Sequence, residues 1–154
     1  MKSLLIVYSY HHRNTEKIAN AFAKVLDAQI KTPKQVEPSE LQEYGLVGFG
    51  SGIYGDKHHE TLLDLANRLP RLTDRKAFIF STSAMINTDK IAKDHSPLRG
   101  ILQSKGYLIV DEFACLGFNT NGFLRFFGGM NKGRPNAEDL KHAEEFAQEL
   151  KQNL

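Results

Sequence analysis

One cysteine, Cys115, is all the thiol chemistry that this 154-residue chain contains, and it lies in an apolar run, so a disulfide framework is excluded. A reducing compartment, and hence the cytoplasm, is the expected setting. Long apolar stretches are missing as well. Met1-Lys2-Ser3 leads straight into an apolar segment only about six residues long, too short for a secretory signal, and no later run approaches a membrane span. Neither sign of charge dominates: 20 Lys plus Arg face 18 Asp plus Glu, a formal net charge of +2. Such mild basicity gives no reason to expect nucleic acid as a partner. Repeats, linkers and low-complexity segments are absent too. The expectation is one domain over residues 1–154, burying roughly two thirds of its unfolded surface without metals or disulfides.

What is present alternates between strand and helix. Leu4-Leu5-Ile6-Val7 reads as a strand buried on both faces, followed by a polar turn and a helix with Asn14 as its cap and Glu16 in its first turn. Between Asn14 and Asp27, helical spacing puts Ile18, Ala21, Phe22, Val25 and Leu26 on one face. Ala28–Lys31 predicts a short second strand, and Pro38–Gln42 a helical turn capped by Ser39 or Pro38. Gly45–Ser51 predicts another buried strand, whose glycines imply close approach by a helix or a ligand. Glu60–Leu69 reads as a helix with Leu62, Leu65, Ala66 and Leu69 inward, stopped by Pro70, and Lys76–Ser81 as a strand. Ser96 and Pro97 open the next helix, which Gly106 ends. Leu108–Val110 and Phe113–Leu116 make the last strand, and Asn136 with Asp139 start the final helix as a capping box. This alternation implies a three-layer α/β/α sandwich on a five-stranded parallel sheet with right-handed crossovers.

Ligands of open parallel sheets bind beyond the carboxyl ends of the strands, and here those ends are polar. The first strand ends in Ser9-Tyr10-His11-His12-Arg13, the third in Ser51-Gly52-Ile53-Tyr54-Gly55-Asp56, and the fourth in Ser81-Thr82-Ser83-Ala84. The helix beginning at Asn14 and Thr15 turns its unpaired N–H groups and positive dipole end toward the first of these, which suits a phosphate. Neither GxxxxGK[ST] nor GxGxxG occurs after the first strand, so a nucleoside triphosphatase and a dinucleotide enzyme are disfavoured. A mononucleotide carrying a flat ring fits the remaining features.

On these residues the chain resembles the flavodoxins, which bind FMN and carry electrons. Tyr10-His11-His12-Arg13-Asn14-Thr15 is similar to the family's phosphate loop, Ser/Thr-x-Thr-Gly-Asn-Thr, in its terminal Asn-Thr. The four preceding positions differ, so the phosphate would rest on Ser9, Thr15, backbone amides and the side chains of His11, His12 or Arg13. Tyr54-Gly55-Asp56 looks like the family's aromatic-Gly-Asp triplet beside the flavin ring, where a stacked ring excludes water and Gly55 tolerates a peptide flip that favours the neutral semiquinone. Ser81, Thr82, Ser83 and Ala84 are in place to meet the pyrimidine edge. The resemblance thus implies a strand order of 2-1-3-4-5 and an FMN site drawn from Ser9, Tyr10, His11, His12, Arg13, Asn14, Thr15, Ser51, Gly52, Ile53, Tyr54, Gly55, Ser81, Thr82, Ser83 and Ala84. It also implies a one-electron carrier between a redox protein donor and a redox protein acceptor, as a monomer or weak homodimer. Two alternatives stay open: a flavodoxin-fold FMN enzyme such as a quinone-linked protoporphyrinogen oxidase, and a flavin-free binding module.

Other features carry less. The pairs His11-His12 and His58-His59 lack the cysteine or spaced carboxylate that would complete a metal site, and are expected to lend partial positive charge or to be solvated. No Ser-His-acid or Cys-His motif is evident. Cys115 reads as an inert buried residue. The connection Gly117–Pro135, with Phe118, Phe123, Phe126 and Phe127, is suited to packing on the sheet edge, covering the flavin or docking a partner.

Overall fold

In the computed structural model of the protein, which describes residues 2–10, 13–117 and 131–154, the apolar runs form a parallel sheet. Its strands are β1 (Ser3–Tyr8), β2 (Gln29–Lys31), β3 (Leu46–Gly52), β4 (Arg75–Ser83) and β5 (Tyr107–Leu116). They lie in the order β2-β1-β3-β4-β5. The helices are α1 (Asn14–Leu26), α2 (Glu60–Arg68), α3 (Thr88–Ser104) and α4 (Ala137–Gln152), with two short 3-10 turns, Pro33–Gln35 and Pro38–Glu43, after β2.

Because successive strand side chains point to opposite faces, the sheet builds two cores. On one face Leu4, Ile6, Val47, Phe49, Ala77 and Ile79 pack with Leu62 and Leu65 of α2 and Leu98 and Leu102 of α3. On the other, Leu5, Val7, Phe78 and Phe80 pack with Ile18 and Phe22 of α1 and Ala143 and Ala147 of α4. Phe22 centres this second core: its ring meets Phe78, Phe80 and Phe113 edge-on at centroid distances of 5.6, 5.0 and 5.4 Å. Such pairs contribute on the order of 1 kcal/mol each beyond area burial.

Several boundaries differ from the sequence expectation, each for a physical reason. Arg13, in the left-handed conformation at φ 55°, precedes α1 and makes no side-chain cap, so Asn14 is the first helical residue rather than the cap. The 3-10 turn Pro38–Glu43 is boxed by Glu37 and Glu40 instead of capped by Ser39 or Pro38. Helix α3 starts at Thr88, where the Asn87 side chain accepts the Lys90 N–H at 2.8 Å, and Pro97 lies inside it rather than at its start. Its early turns escape hydrophobic periodicity because polar Asp94 and His95 occupy buried positions. The final strand runs unbroken through Asp111 and Glu112, with a register shift against β4 between Ala77 and Phe78.

The glycines of β3 admit neither helix nor ligand but rings. A Cβ at Gly48 would stand 2.5 Å from the Phe78 ring, and one at Gly50 2.2 Å from that of Phe80. The expected capping box of α4 forms, with Asn136 and Asp139 exchanging bonds of 2.8 and 2.9 Å. Among the described residues, no helix is long and apolar enough to cross a membrane.

Candidate functional site at the carboxyl edge of the sheet

From β1 the sheet extends to β2 on one side and β3 on the other, and at such a switch point the flanking loops part to leave a crevice. Register aligns the rim of that crevice: Tyr8 of β1 is opposite Ser51 of β3, Ser51 opposite Ser81 of β4, and Ser81 opposite Ala114 of β5. The loops proposed from sequence therefore leave the sheet at one level.

The first loop meets the N-terminus of α1. Ser9 Oγ accepts the Glu16 N–H at 3.2 Å, so one first-turn donor is already used. Arg13 clasps the Glu16 carboxylate through both ends of its guanidinium, at 2.7 and 2.6 Å, which neutralises the strongest cation of the turn. That hydrogen-bonded pairing also holds the Glu16 carboxyl below its ordinary range. Tyr10 is 62% exposed, whereas Thr15 is buried. Asn14 lies against Gly117, where a Cβ would come within 2.6 Å of its Nδ2. His11, His12 and the four phenylalanines of the 117–135 connection lie outside the described residues.

The second loop folds back on itself. Ile53 bridges His58 in antiparallel fashion, and the Tyr54 N–H donates to the Lys57 carbonyl at 2.7 Å. Gly55 and Asp56 both have positive φ, 57° and 62°, the pattern of a type I′ turn. Tyr54 is half-buried: its ring meets His59 edge-on at 5.0 Å, and His59 stacks on Tyr8 at 3.7 Å. His59 also caps α2, its Nδ1 accepting the Thr61 N–H at 3.2 Å, and burial lowers its pKa. Asp56 faces Lys93 of α3 at 3.9 Å across the surface.

The third loop is tied to both others. Thr82 Oγ1 lies 2.8 Å from Thr15 Oγ1, and the Thr82 carbonyl accepts the Ile53 N–H at 3.2 Å. The Ser83 hydroxyl donates to the Met85 carbonyl at 2.7 Å, and Asn131 reaches the Ala84 carbonyl at 2.6 Å.

The hydroxyls expected to face a ligand mostly face inward. Ser51 is buried, donating to the Gly52 carbonyl at 2.6 Å and accepting the His59 N–H at 3.0 Å. Ser81 is buried against His95 at 2.7 Å. Tyr10 and Tyr54, by contrast, keep part of their rings exposed.

Two expectations are overturned. His58 is neither solvated nor a source of positive charge: it is buried, its Nε2–H donates to the Phe80 carbonyl at 2.9 Å, and burial, reinforced by His95, lowers its pKa to about 3. A Ser-His-acid chain also exists, in Ser81, His95 and Glu112, although no motif announces it. Cys115 is the inert residue expected, pushed up to about 12 by burial and then by Asp139. Among the described residues no cluster of three or more His, Cys, Asp or Glu could hold a metal.

Comparison with known proteins agrees with this geometry. Residues 5–117 match the family model described as a flavodoxin domain (Flavodoxin_5). An uncharacterized protein of Methanocaldococcus jannaschii is 43% identical over 153 residues, covering 99% of this chain and 100% of that protein. The fold is similar to oxidised flavodoxin 2 of Bacillus cereus, with TM-score 0.72, 16% identity and 100% of both chains covered. It is also similar to a Fusobacterium nucleatum flavodoxin bound to flavin mononucleotide, with TM-score 0.68, 16% identity, and 100% of this chain and 99% of that one covered. With this strand order and a family match over most of its length, the chain belongs to the flavodoxin domain family.

Proposed function

We propose that the protein binds FMN in the crevice between β1, β3 and β4 and works as a one-electron carrier between two redox proteins. The observation that carries this reading is the convergence there of a helix N-terminus, a half-buried tyrosine on a Gly-Asp turn, and the amide-rich end of β4. Bound FMN would supply the electron chemistry, and the protein would orient it and exclude water.

The donor set fits such a group. Ser9, Tyr10, His11, His12, Arg13, Asn14 and Thr15 would hold the phosphate, mainly through first-turn amides and the helix dipole. Tyr54 would cover one face of the ring, with Gly52 and Ile53 setting its approach: a Cβ at Gly52 would stand 3.3 Å from the Tyr54 ring. Thr82, Ser83 and Ala84 would meet the pyrimidine edge through their backbone, while the inward hydroxyls of Ser51 and Ser81 keep the strand ends rigid.

The turn at Gly55 has the freedom that the reading asks for. Rotating its central peptide by half a turn converts type I′ into type II′, in which Gly55 keeps its positive φ and Asp56 moves to a negative one. Gly55 thus permits two orientations of its carbonyl, and Asp56 is relieved of a conformation that L residues disfavour.

Absorption spectra of the purified protein, before and after dithionite, with titration of FMN into any colourless fraction, test the proposal. Stoichiometric FMN binding with reversible bleaching is expected. A colourless protein that ignores added FMN refutes flavin binding, and catalytic turnover of a quinone or protoporphyrinogen, instead of electron relay to cytochrome c, refutes the carrier role.

A further inference from the structure

At the end of the sheet opposite the candidate site, where the strands begin and α2 and α3 stop, the sequence concentrates cations. Lys2 stands before β1, Arg68 closes α2, Arg71 lies in the connection to β4, Arg75 and Lys76 open β4, and Lys105 follows α3. Backbone bonds join these positions into one rim. The Lys2 carbonyl accepts the Gly45 N–H at 3.0 Å, the Gly45 carbonyl accepts the Lys76 N–H at 3.1 Å, and the Lys105 carbonyl accepts the Leu72 N–H at 2.9 Å.

These charges are not neutralised. Among the described residues none of the six cations forms an ion pair. The anions of the rim are Glu43 and Asp74, both exposed. Six positive charges against two leave a net +4, in a chain whose formal net charge is +2, so the rest of the protein is net negative. On the α1 and α4 side of the same end, Lys24 is offset by Asp27 and Lys151 by Glu149. Local roles account for where some of the six stand. Arg68 and Lys105 complement the carboxyl ends of α2 and α3, Arg75 donates to the Gln42 carbonyl at 2.8 Å, and the Lys2 ammonium lies over the Tyr44 ring. None of these roles removes a charge, and Arg71 and Lys76 have no such role.

One apolar side chain interrupts the rim: Leu108, in register with Lys76, is 61% exposed. The surface spans the starts of four strands, about 15 Å at ordinary strand spacing. It is ill suited to nucleic acid, because its helices end there instead of entering a groove, and the exposed aromatic among the described residues, Tyr10, is at the other end of the sheet. A lone exposed leucine is also too little for the apolar core of a protein interface. An anionic lipid surface asks for neither, only for cations facing a plane and a side chain able to enter the headgroup layer.

We propose that this rim docks the protein on a membrane surface rich in anionic lipid headgroups, with Lys2, Arg71, Lys76 and Lys105 facing the phosphates and Leu108 entering the headgroup layer. Docked in this way, the protein turns the carboxyl edge of the sheet, and the candidate site with it, toward the aqueous side. The inference does not depend on the flavin reading.

Co-sedimentation of the full chain with phosphatidylcholine vesicles, with and without phosphatidylglycerol, tests it. Binding is expected only where phosphatidylglycerol is present, and should fade as the screening length drops below about 10 Å, above 0.1 M ionic strength. Arg71→Gln and Lys76→Gln should each weaken it about fivefold. Lys141→Gln and Lys151→Gln, which remove the same charge from α4, should leave it unchanged, and equal losses in the two sets would assign binding to overall charge and overturn the proposal. If Lys76→Gln does not fold, Arg71→Gln, at an exposed position, carries the same reading.

The chain has no tryptophan, so Leu108→Trp and Met85→Trp each introduce a single reporter, one at either end of the sheet and both at exposed positions. On phosphatidylglycerol vesicles the emission of Leu108→Trp should shift to the blue and that of Met85→Trp should not. An unshifted Leu108→Trp, or a shift in Met85→Trp, overturns the orientation and the proposal with it. No binding to these vesicles at low salt, or tighter binding to duplex DNA than to the vesicles at matched salt, is equally fatal, whether or not the protein carries flavin.

Discussion

Thr15 Oγ1 and Thr82 Oγ1, 67 residues apart in sequence, lie 2.8 Å from each other and are both buried, so one hydroxyl pair clamps the first turn of α1 to the end of β4. The clamp spans β3 and with it the mouth of the crevice. Replacing one partner should strand the other. Thr15→Val or Thr82→Val should each destabilise the protein by about 1–2 kcal/mol, whereas the double variant should cost less than the two summed. Urea unfolding of the four proteins gives the coupling energy, and strict additivity would mean that the hydroxyls do not pair.

Arg13 and Glu16 form a charge pair at the place where an incoming phosphate would compete for the guanidinium. Glu16→Gln should therefore strengthen FMN binding, by roughly three- to tenfold at low salt, with the gain shrinking as the screening length falls toward about 3 Å in 1 M salt. Weaker binding by the Gln variant would show that the carboxylate serves the ligand rather than competing with it.

Gly55 has open space where a Cβ would stand, so its requirement is conformational and not steric. Gly55→Ala should cost on the order of 1 kcal/mol, and Gly55→Val more, because a β-branched residue resists the left-handed region. Asp56→Gly should be close to neutral. Thermal melts of the three variants check the ranking, and a neutral Gly55→Val would contradict the type I′ turn.

Acid should act in two stages. An unfolded histidine titrates near 6.5, but in the fold burial, and next the neighbouring His95, keep His58 at about 3. The unfolded chain thus gains a proton that the folded chain refuses, so this stability is complete above pH 6.5 and is lost as pH falls from there toward 3. His59, also lowered by burial, adds to the same interval. Glu112, held at about 2, contributes stability that is present above about 4.5 and lost below it. Between pH 7 and 5 the unfolding free energy should drop by ~2 kcal/mol, and His58→Gln should flatten that segment while leaving the loss below about pH 4.5. An unchanged slope between pH 7 and 5 in that variant would assign the first stage elsewhere.

How much of this was readable from residues alone depends on whether the signal was local. The buried β1, the apolar stripe of α1 and the capping box at Asn136 and Asp139 are stated by neighbours a few positions apart, and the sheet order followed from a family likeness carried by short loops. Helix α3 was truncated because His95 and Asp94 stand where its stripe should be apolar, and a polar residue in a core position looks the same in sequence as one in water. The site shows the same divide. Tyr54-Gly55-Asp56 stands out in sequence by its likeness to the family's triplet, and the positive φ of Gly55 and Asp56 is a local property that such neighbours can signal. The inward bonds of Ser51 and Ser81 are not signalled in this way, because their partners are supplied by distant elements.

Gly50 and Phe80 are core residues, yet each is followed at once by a serine at the lip of the crevice, Ser51 and Ser81. The missing methyl group of Gly50 lets the aromatic ring lie flat across β3, and so acts as a shim that sets the gap between two site loops. A defect introduced there, well away from any ligand, would be felt first as a misfit at the rim.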